Sequence, residues 1–202
     1  MAKSKPARPD ITRLIELQHL LLSFRSIERR LHIPPGLDTF ENDAEHSYAL
    51  AMTAWFLAPY FPKLDRDTVI RYALAHDIVE VHAGDTYAYS DDKTLGIKRE
   101  REAMAVKKLA TDWPDFPDLI ETIHAYEKRD NEEAKFVYAL DKLVPALMDY
   151  MNEGLGWRDR GITFQMFCDE KNKKVPISPD INEYCQTLIT ILATQQHLFA
   201  KP

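Results

Sequence analysis

Residues 72–85 read YALAHDIVEVHAGD and place an adjacent histidine and aspartate, His76 and Asp77, inside an apolar run. A buried imidazole or carboxylate without a partner costs several kcal/mol or changes its protonation state. A divalent cation removes both costs, because imidazole and carboxylate are both good ligands for first-row metals. The pair therefore indicates a metal site, although adjacent His-Asp pairs also occur by chance in structural positions.

The sequence around this pair predicts a helix over residues 66–82. On such a helix Glu80 lies three residues beyond Asp77, so the two carboxylates share one face. Gly84 is a typical helix stop and places Asp85 just beyond the end. One short segment thus presents candidate metal ligands together with two further carboxylates.

Composition favours a single all-α domain. The chain has 202 residues, of which 45% are apolar and 29% charged, as in ordinary globular proteins. Glycine is scarce, with six residues, and so are glycine-bounded alternating strand patterns. Residues 1–9 are basic and proline-containing, and we expect them to be disordered. Residues 10–202 are then expected to form one domain with a C-terminal helical extension.

Charge and cysteine content limit the classes of partner and the cellular location that we expect. The formal net charge of −6 argues against nucleic-acid binding, which needs a basic face. Cys168 and Cys185 lie far apart in no CxxC pattern, which fits a reducing compartment. The first residues lack the apolar core of a signal peptide, and the longest nearly apolar run, residues 48–61, is too short to span a bilayer. We therefore expect a cytoplasmic protein that binds neither nucleic acid nor membrane.

Two predicted helices carry clusters of charge. The first begins at its N-cap Asp10 and extends through residues 28–31, which read ERRL, before a Pro-Pro-Gly breaker. Another, residues 95–110, contains the run Lys98–Glu102. We interpret this run as a solvated face with ion pairs between residues three and four positions apart.

Two other predicted helices bring polar side chains towards the core. One begins at Asn42 or Asp43 and has His46 in its first turn. It is apolar nearly all round, as expected of a helix in the middle of a bundle. The other, residues 131–151, has Asp141 on the edge of its buried stripe, pointing at least partly inward.

The polar residues singled out by position are two imidazoles and two carboxylates: His46, His76, Asp77 and Asp141. Such a set suits Mn, Fe, Co, Ni or Zn, with coordination positions left open for water and substrate. It contains no thiolate and so differs from structural zinc sites. We expect that His82 is not a ligand, because it lies on a different helical face from His76. His124, ahead of the helix that carries Asp141, could approach the site, but we favour a structural role for it.

The order His … His-Asp … Asp resembles the signature of HD-domain metal-dependent phosphohydrolases. Three segments are similar to the branch that contains bacterial 5′-deoxynucleotidases and their eukaryotic relatives: ENDAEHS (41–47), HDIVEVHAGD (76–85) and EAKFVYALDK (133–142). The resemblance covers about residues 12–153.

The resemblance implies an HD-type helical bundle with one divalent metal ion in its centre, bound by His46, His76, Asp77 and Asp141. It implies roles near the substrate phosphate for Glu80 and Asp85, which could accept the proton of the attacking water or hold that water in line. An arginine at the end of the first helix orients the phosphate in this branch. Arg29 and Arg30 both match its place, and we choose Arg29. Expected substrate contacts are Arg29, His46, Asp77, Asp85 and Asp141.

The implied activity is release of phosphate from (deoxy)nucleoside 5′-monophosphates by a metal-activated water. The alternatives are hydrolysis of dNTPs, hydrolysis of another phosphate ester, and a non-catalytic nucleotide-binding regulatory module. Thr86–Tyr89 reads TYAY where the nucleotidases carry a Pro-rich stretch, so the substrate contacts of this loop differ. The resemblance also implies a homodimer, to which Phe164, Met166 and Phe167 could contribute unless they belong to the core.

Overall fold

The computed structural model describes residues 8–36, 38–86, 89 and 92–201. The helices are α1 Ile11–Arg25, α2 Asp43–Leu57, α3 Arg66–Ala75, α4 Glu80–Ala83, α5 Asp92–Asp112, α6 Pro117–Lys128, α7 Glu132–Met151, α8 Leu155–Asp159, α9 Phe164–Lys174 and α10 Pro179–Ala193. Between α1 and α2, the antiparallel strands β1 Glu28–His32 and β2 Phe40–Asn42 pair in the register Glu28↔Asn42 and His32↔Phe40.

The predicted helical fold class is confirmed, with one small sheet that we did not predict. Most of the segment predicted to be disordered, residues 1–9, lies outside the described residues. In the described part of the chain, none of the helices combines the length and the hydropathy that a bilayer-spanning segment needs.

The prediction that the first helix extends through residues 28–31 is wrong. α1 ends at Arg25, and the chain then continues as β1. Glu, Arg and Leu are good helix formers, but tertiary context overrides intrinsic propensity in this segment. As a strand, this segment carries Arg29 to the distant carboxylates of Asp43 and Asp77.

The start of α2 positions His46. The side chain of Asn42 accepts hydrogen bonds from the backbone N–H groups of Ala44 and Glu45, and the Glu45 side chain accepts from the N–H of Asn42. This capping box fixes the first turn of α2, and His46 is fully buried. The expectation that this helix is buried all round is wrong, because four large apolar residues are exposed: Tyr48, Met52, Trp55 and Phe56.

The predicted helix over residues 66–82 is interrupted. α3 ends at Ala75, and the next four residues form tight turns in which the N–H of Glu80 donates to the carbonyl of Asp77 at 2.8 Å. The imidazole of His76 competes for helical acceptors, since its Nδ1 lies 2.9 Å from the carbonyl oxygen of Ala73. Gly84, at φ 72°, ends α4 as predicted.

Two apolar clusters form the core. The larger joins α2, α3, α7 and the C-terminal helices around residues such as Phe136. The smaller joins α1, α4, α5 and α6 around residues such as Leu109. Ala73 belongs to the larger cluster and Ala75 to the smaller, so His76 lies where the two clusters meet.

Candidate metal centre and active site

Three segments that are distant in sequence bring their polar side chains together at this junction. His46 comes from α2, His76 and Asp77 follow α3, and Asp141 comes from the middle of α7. Nε2 of His46 lies 2.9 Å from Oδ1 of Asp141, and Nε2 of His76 lies 2.9 Å from Oδ2 of Asp77 and 3.7 Å from Oδ1 of Asp141. Both imidazoles are buried. One ligand atom from each of His46, His76 and Asp77 falls within 4.8 Å of the others.

Both imidazoles direct Nε2 towards the two aspartates. Nδ1 of His76 faces the carbonyl oxygen of Ala73, which only accepts, so Nδ1 carries the proton and donates. Nδ1 of His46 lies 3.3 Å from Oε2 of the buried Glu41 without a hydrogen bond between them, whereas its Nε2 pairs with Oδ1 of Asp141. Both Nε2 atoms thus face carboxylate oxygens, which are acceptors.

A cation satisfies this arrangement of acceptors. Nε2 of His76 is buried and has no hydrogen-bond partner among the described residues. Burial opposes a charge on His76, but Asp77 and Asp141 overcome this effect and raise its pKa to about 10. The set therefore attracts positive charge, and two imidazoles with two carboxylates fit a divalent first-row metal.

Arg29 extends from β1 over the same carboxylates. Its Nη1 lies 2.8 Å from Oδ2 of Asp77 and 3.3 Å from Oδ1 of Asp43, and its Nε lies 3.2 Å from Oε2 of Glu41. Neighbouring side chains of a strand point to opposite faces, and Arg30 is exposed. The structure therefore places Arg29, rather than Arg30, beside the candidate metal ligands.

Glu80 and Asp85 flank the cluster at different depths. Glu80 is 2% exposed, and its Oε1 lies 3.1 Å from Nζ of Lys98. Burial and the nearby Asp77 raise the pKa of Glu80 to about 9, although Lys98 acts in the opposite direction. Asp85 is half-buried and lines the same cavity.

Lys98 was not recognised from the sequence. The prediction that Lys98–Glu102 forms a solvated face is wrong for its two end residues, because Lys98 and Glu102 are partly buried and line the cavity. They form the predicted pair four positions apart, with Nζ and Oε1 3.3 Å apart. Lys98 lies beside the buried Glu80 because α5 packs over α4.

Comparison with known proteins gives the family, because the family model described as HD domain matches residues 22–182. The chain belongs to the HD domain family. A solved structure from Magnetospirillum magnetotacticum, described as a predicted metal-dependent phosphohydrolase, aligns with a TM-score of 0.76 and 30% identity over 94% of this chain and 96% of that one. A conserved hypothetical protein from Pyrococcus furiosus shares the fold, with a TM-score of 0.60 and 23% identity over 89% of this chain and 99% of that one.

Two curated relatives that match the chain are named for the same activity. The 5′-deoxynucleotidase HDDC2 of Mus musculus is 30% identical over 131 residues, which are 64% of this chain and 64% of the relative. The 5′-deoxynucleotidase YGK1 of Saccharomyces cerevisiae is 29% identical over 113 residues, 53% of this chain and 51% of the relative. The chain thus spans less than two thirds of these relatives. The resemblance predicted from the three sequence motifs is confirmed.

Three of the four candidate metal ligands of this HD domain, His76, Asp77 and Asp141, line a cavity of about 470 Å³, a volume typical of small-molecule sites. One face of α7 lines it with residues three and four positions apart: Tyr138, Asp141, Lys142, Pro145, Ala146 and Asp149. α8, its C-cap and α9 add Trp157, Arg160, Glu170, Lys171 and Lys174. Helical periodicity counted from Asp141 could have predicted the α7 members. No local sequence pattern predicts the lining residues that follow α7.

The remaining sequence expectations concern histidines and a loop. His82 pairs with α5, its Nε2 3.7 Å from a carboxylate oxygen there, and His124 is exposed, so neither joins the cluster. Residues 87–88 of the loop predicted to contact the substrate lie outside the described residues. Thr86 and Tyr89 of the same loop line the cavity.

Proposed function

We propose that this HD domain hydrolyses a phosphate monoester with one divalent metal ion bound by His46, His76, Asp77 and Asp141. The observation that carries the proposal is the convergence of two imidazole Nε2 atoms and two carboxylates at one end of a cavity that also contains cations. The favoured substrate is a ribo- or deoxyribonucleoside 5′-monophosphate. The names of the curated relatives support this choice, and so does the volume of the cavity.

The ligand set narrows the choice of metal. A divalent ion held there lowers the pKa of a water molecule and polarises a phosphoryl oxygen. Nitrogen and oxygen ligands suit Mn, Fe, Co, Ni or Zn. The carbonyl of Ala73 orients His76, and Glu41 lies beside Nδ1 of His46, so Nε2 of each imidazole would face a bound ion.

Three further residues act on the substrate in this proposal. The guanidinium of Arg29 binds non-bridging phosphate oxygens and offsets the charge that develops on them. Its salt bridges to Asp43 and Asp77 keep it directed towards the metal ligands. Asp85 accepts the proton of the attacking water, or Glu80 or Asp85 holds that water in line with phosphorus.

Phosphate release tests the proposal. The substrates are ribo- and deoxyribonucleoside mono-, di- and triphosphates, each assayed with Mn²⁺ or Co²⁺. We expect the wild type to release phosphate from monophosphates and Asp77→Ala to be inactive. Asp67→Ala, an exposed residue of α3, is the matched control and should retain activity. Tripolyphosphate as the product would instead establish a dNTP hydrolase. Silence across the panel with metal bound would favour another phosphate ester or a regulatory module.

We also propose a homodimer formed through the exposed apolar stripe of α2: Tyr48, Met52, Trp55 and Phe56, which are 43–69% exposed. Contiguous exposed apolar surface is typical of interaction sites. Of the residues suggested by sequence, Phe167 is fully buried and so unavailable. Trp55→Glu should convert a dimer to a monomer in light scattering, whereas Met151→Glu, exposed on α7, should not. A monomeric wild type would contradict the proposal.

We propose further that residues 10–202 work as one domain in the cytoplasm. The cavity takes Arg29 from the first part of the chain and Lys174 from the last, which supports a single functional unit. Cys168 and Cys185 are free thiols, which supports a reducing compartment.

A further inference from the structure

The end of the cavity away from the candidate metal ligands is rich in cations. We call it the distal end and define it by Asp149, Arg160, Glu170, Lys171 and Lys174. Three cations there face two carboxylates, in a chain whose formal net charge is −6. None of these five residues has a role in the phosphate hydrolysis proposed above. A local excess of positive charge in an acidic protein indicates an anionic ligand.

One buried carboxylate serves two lysines at the distal end. Nζ of Lys171 lies 2.8 Å from Oε2 of Glu170, and Nζ of Lys174 lies 2.9 Å from Oε1 of the same residue. Lys171 also donates to the carbonyl oxygen of Lys142 at 2.7 Å. The side chains of Glu170 and Lys171 are each 8% exposed. Net positive charge is thus held where desolvation makes it costly, and a bound anion would offset that cost.

The carboxylate of Asp149 from α7 and the guanidinium of Arg160, directly after α8, close this end. Both pack on Gly156 of α8, where an added Cβ would lie 2.1 Å from Oδ1 of Asp149 and 2.8 Å from Nη1 of Arg160. Only glycine permits so close an approach. Nη1 of Arg160 also donates to the carbonyl oxygen of Gly156 at 3.2 Å. The geometry of α8 therefore fixes this guanidinium in the cavity wall.

Helix α7 sets the separation between the two ends. Asp149 lies eight residues beyond Asp141, a rise of about 12 Å along the helix. Between them α7 presents the small, apolar Pro145 and Ala146, and Trp157 lines the cavity from α8. The middle of the cavity therefore offers room and apolar contact to the body of a substrate.

We propose that the distal end is a second anion-binding subsite, and that the preferred substrate is a phosphate ester with a second phosphate or carboxylate, separated from the reacting phosphate by the body of the molecule. This proposal rests on the phosphohydrolase function proposed above and narrows its substrate class. The reacting phosphate lies at Arg29, and the second anion contacts Lys171 and Lys174 at a separation of up to about 12 Å. Charge-assisted hydrogen bonds from the two ammonium groups stabilise it.

Calorimetric binding of three nucleotides tests the subsite. The probes are 2′-deoxyadenosine 5′-monophosphate, 3′,5′-bisphosphate and 5′-triphosphate, each titrated into the full chain in EDTA, which prevents turnover. We expect the bisphosphate to bind about tenfold more tightly than the monophosphate. Equal affinities would overturn the proposal. Tighter binding of the triphosphate than of the bisphosphate would overturn it too, because the additional charge would then adjoin the reacting phosphate.

Two neighbouring lysines of α9 provide the matched variants. Lys174→Gln and Lys173→Gln remove the same charge, but only Lys174 lines the cavity, whereas Lys173 is exposed. We expect Lys174→Gln to reduce the preference for the bisphosphate to about twofold, Lys174→Arg to restore it and Lys173→Gln to leave it at about tenfold. Equal preferences in Lys174→Gln and Lys173→Gln would overturn the subsite. This experiment measures binding, so its result does not depend on turnover. If the manganese-loaded protein releases no phosphate, that result contradicts the proposed function alone.

Discussion

The two ends of the cavity differ in their balance of charge. At the metal end, the carboxylates of Asp77 and Asp141 surround two imidazoles, Arg29 contacts Asp77 and Lys142 contacts Asp141. At the distal end, cations outnumber carboxylates by three to two. A single face of α7 supplies residues to both ends. One helix thus contributes side chains both to the candidate metal centre and to the proposed anion subsite.

Exchanging one aspartate at each end should give the largest contrast. Asp141→Asn removes a candidate metal ligand, and we expect it to lose bound metal and to lower phosphate release by about 10³-fold or more. Asp149→Asn makes the same change eight residues further along α7 and should retain the metal. Elemental analysis of the purified variants and a phosphate-release assay measure both effects. Equal metal content in the two variants would contradict the division of the cavity into two ends.

A smaller effect is expected from Glu41, which supports the metal end without belonging to the candidate ligand set. Its Oε2 lies 3.3 Å from Nδ1 of His46 and 3.2 Å from Nε of Arg29. Glu41→Gln should lower metal affinity about 10- to 100-fold, as is typical when a partner of a ligating histidine is changed. Metal titration by calorimetry measures this affinity. Glu28→Gln, at an exposed position of β1, is the control. Unchanged metal affinity in Glu41→Gln would show that Glu41 does not support the metal end.

The smallest effect concerns stability at the distal end. Burial raises the pKa of Asp149 to about 6, although Arg160 and Lys171 act in the opposite direction. The folded protein therefore binds this proton more readily than the unfolded chain, whose aspartates titrate near pH 4 (about 3.9). The stability that the protonated group contributes is lost as the pH rises from about 4 to about 6.

Asp149→Asn should remove this pH dependence. We expect its free energy of unfolding, relative to that of the wild type, to increase by about 2 kcal/mol between pH 4.5 and pH 7. Urea denaturation at the two pH values measures the change, with the exposed Asp130→Asn as the control. A difference that stays constant over this range would show that Asp149 titrates normally.

The sequence was most informative at the metal end. His76 and Asp77 are adjacent in an apolar run, and His46 follows a helix cap that the pattern around Asn42 predicts. Polar groups in buried positions are rare enough to be conspicuous. The structure brings these residues and Asp141 together, as the resemblance to HD-domain phosphohydrolases implied. Local patterns are sufficient to single out these residues, because each of them lies in or directly after a helix that its own segment specifies.

The distal end could not be predicted in the same way. Lys171 and Lys174 lie in a charged helix and resemble solvent-facing lysines, because the burial of Lys171 depends on packing against α7. Lys98 is a similar case, since its partner Glu80 comes from another element. We did not predict the strand β1, because its extended conformation goes with long-range contacts of Arg29 to distant carboxylates and not with local propensity. Long-range charge pairing leaves no periodic signal in a single sequence.

Anomalous X-ray diffraction from crystals of the wild-type protein grown with Mn²⁺ tests the candidate metal centre directly. We predict one strong peak about 2.0–2.3 Å from Nε2 of His46, Nε2 of His76 and the carboxylate oxygens of Asp77 and Asp141. No peak at this position, or a peak held by Asp43 and Glu80 instead, would contradict the metal centre on which the proposed hydrolysis depends.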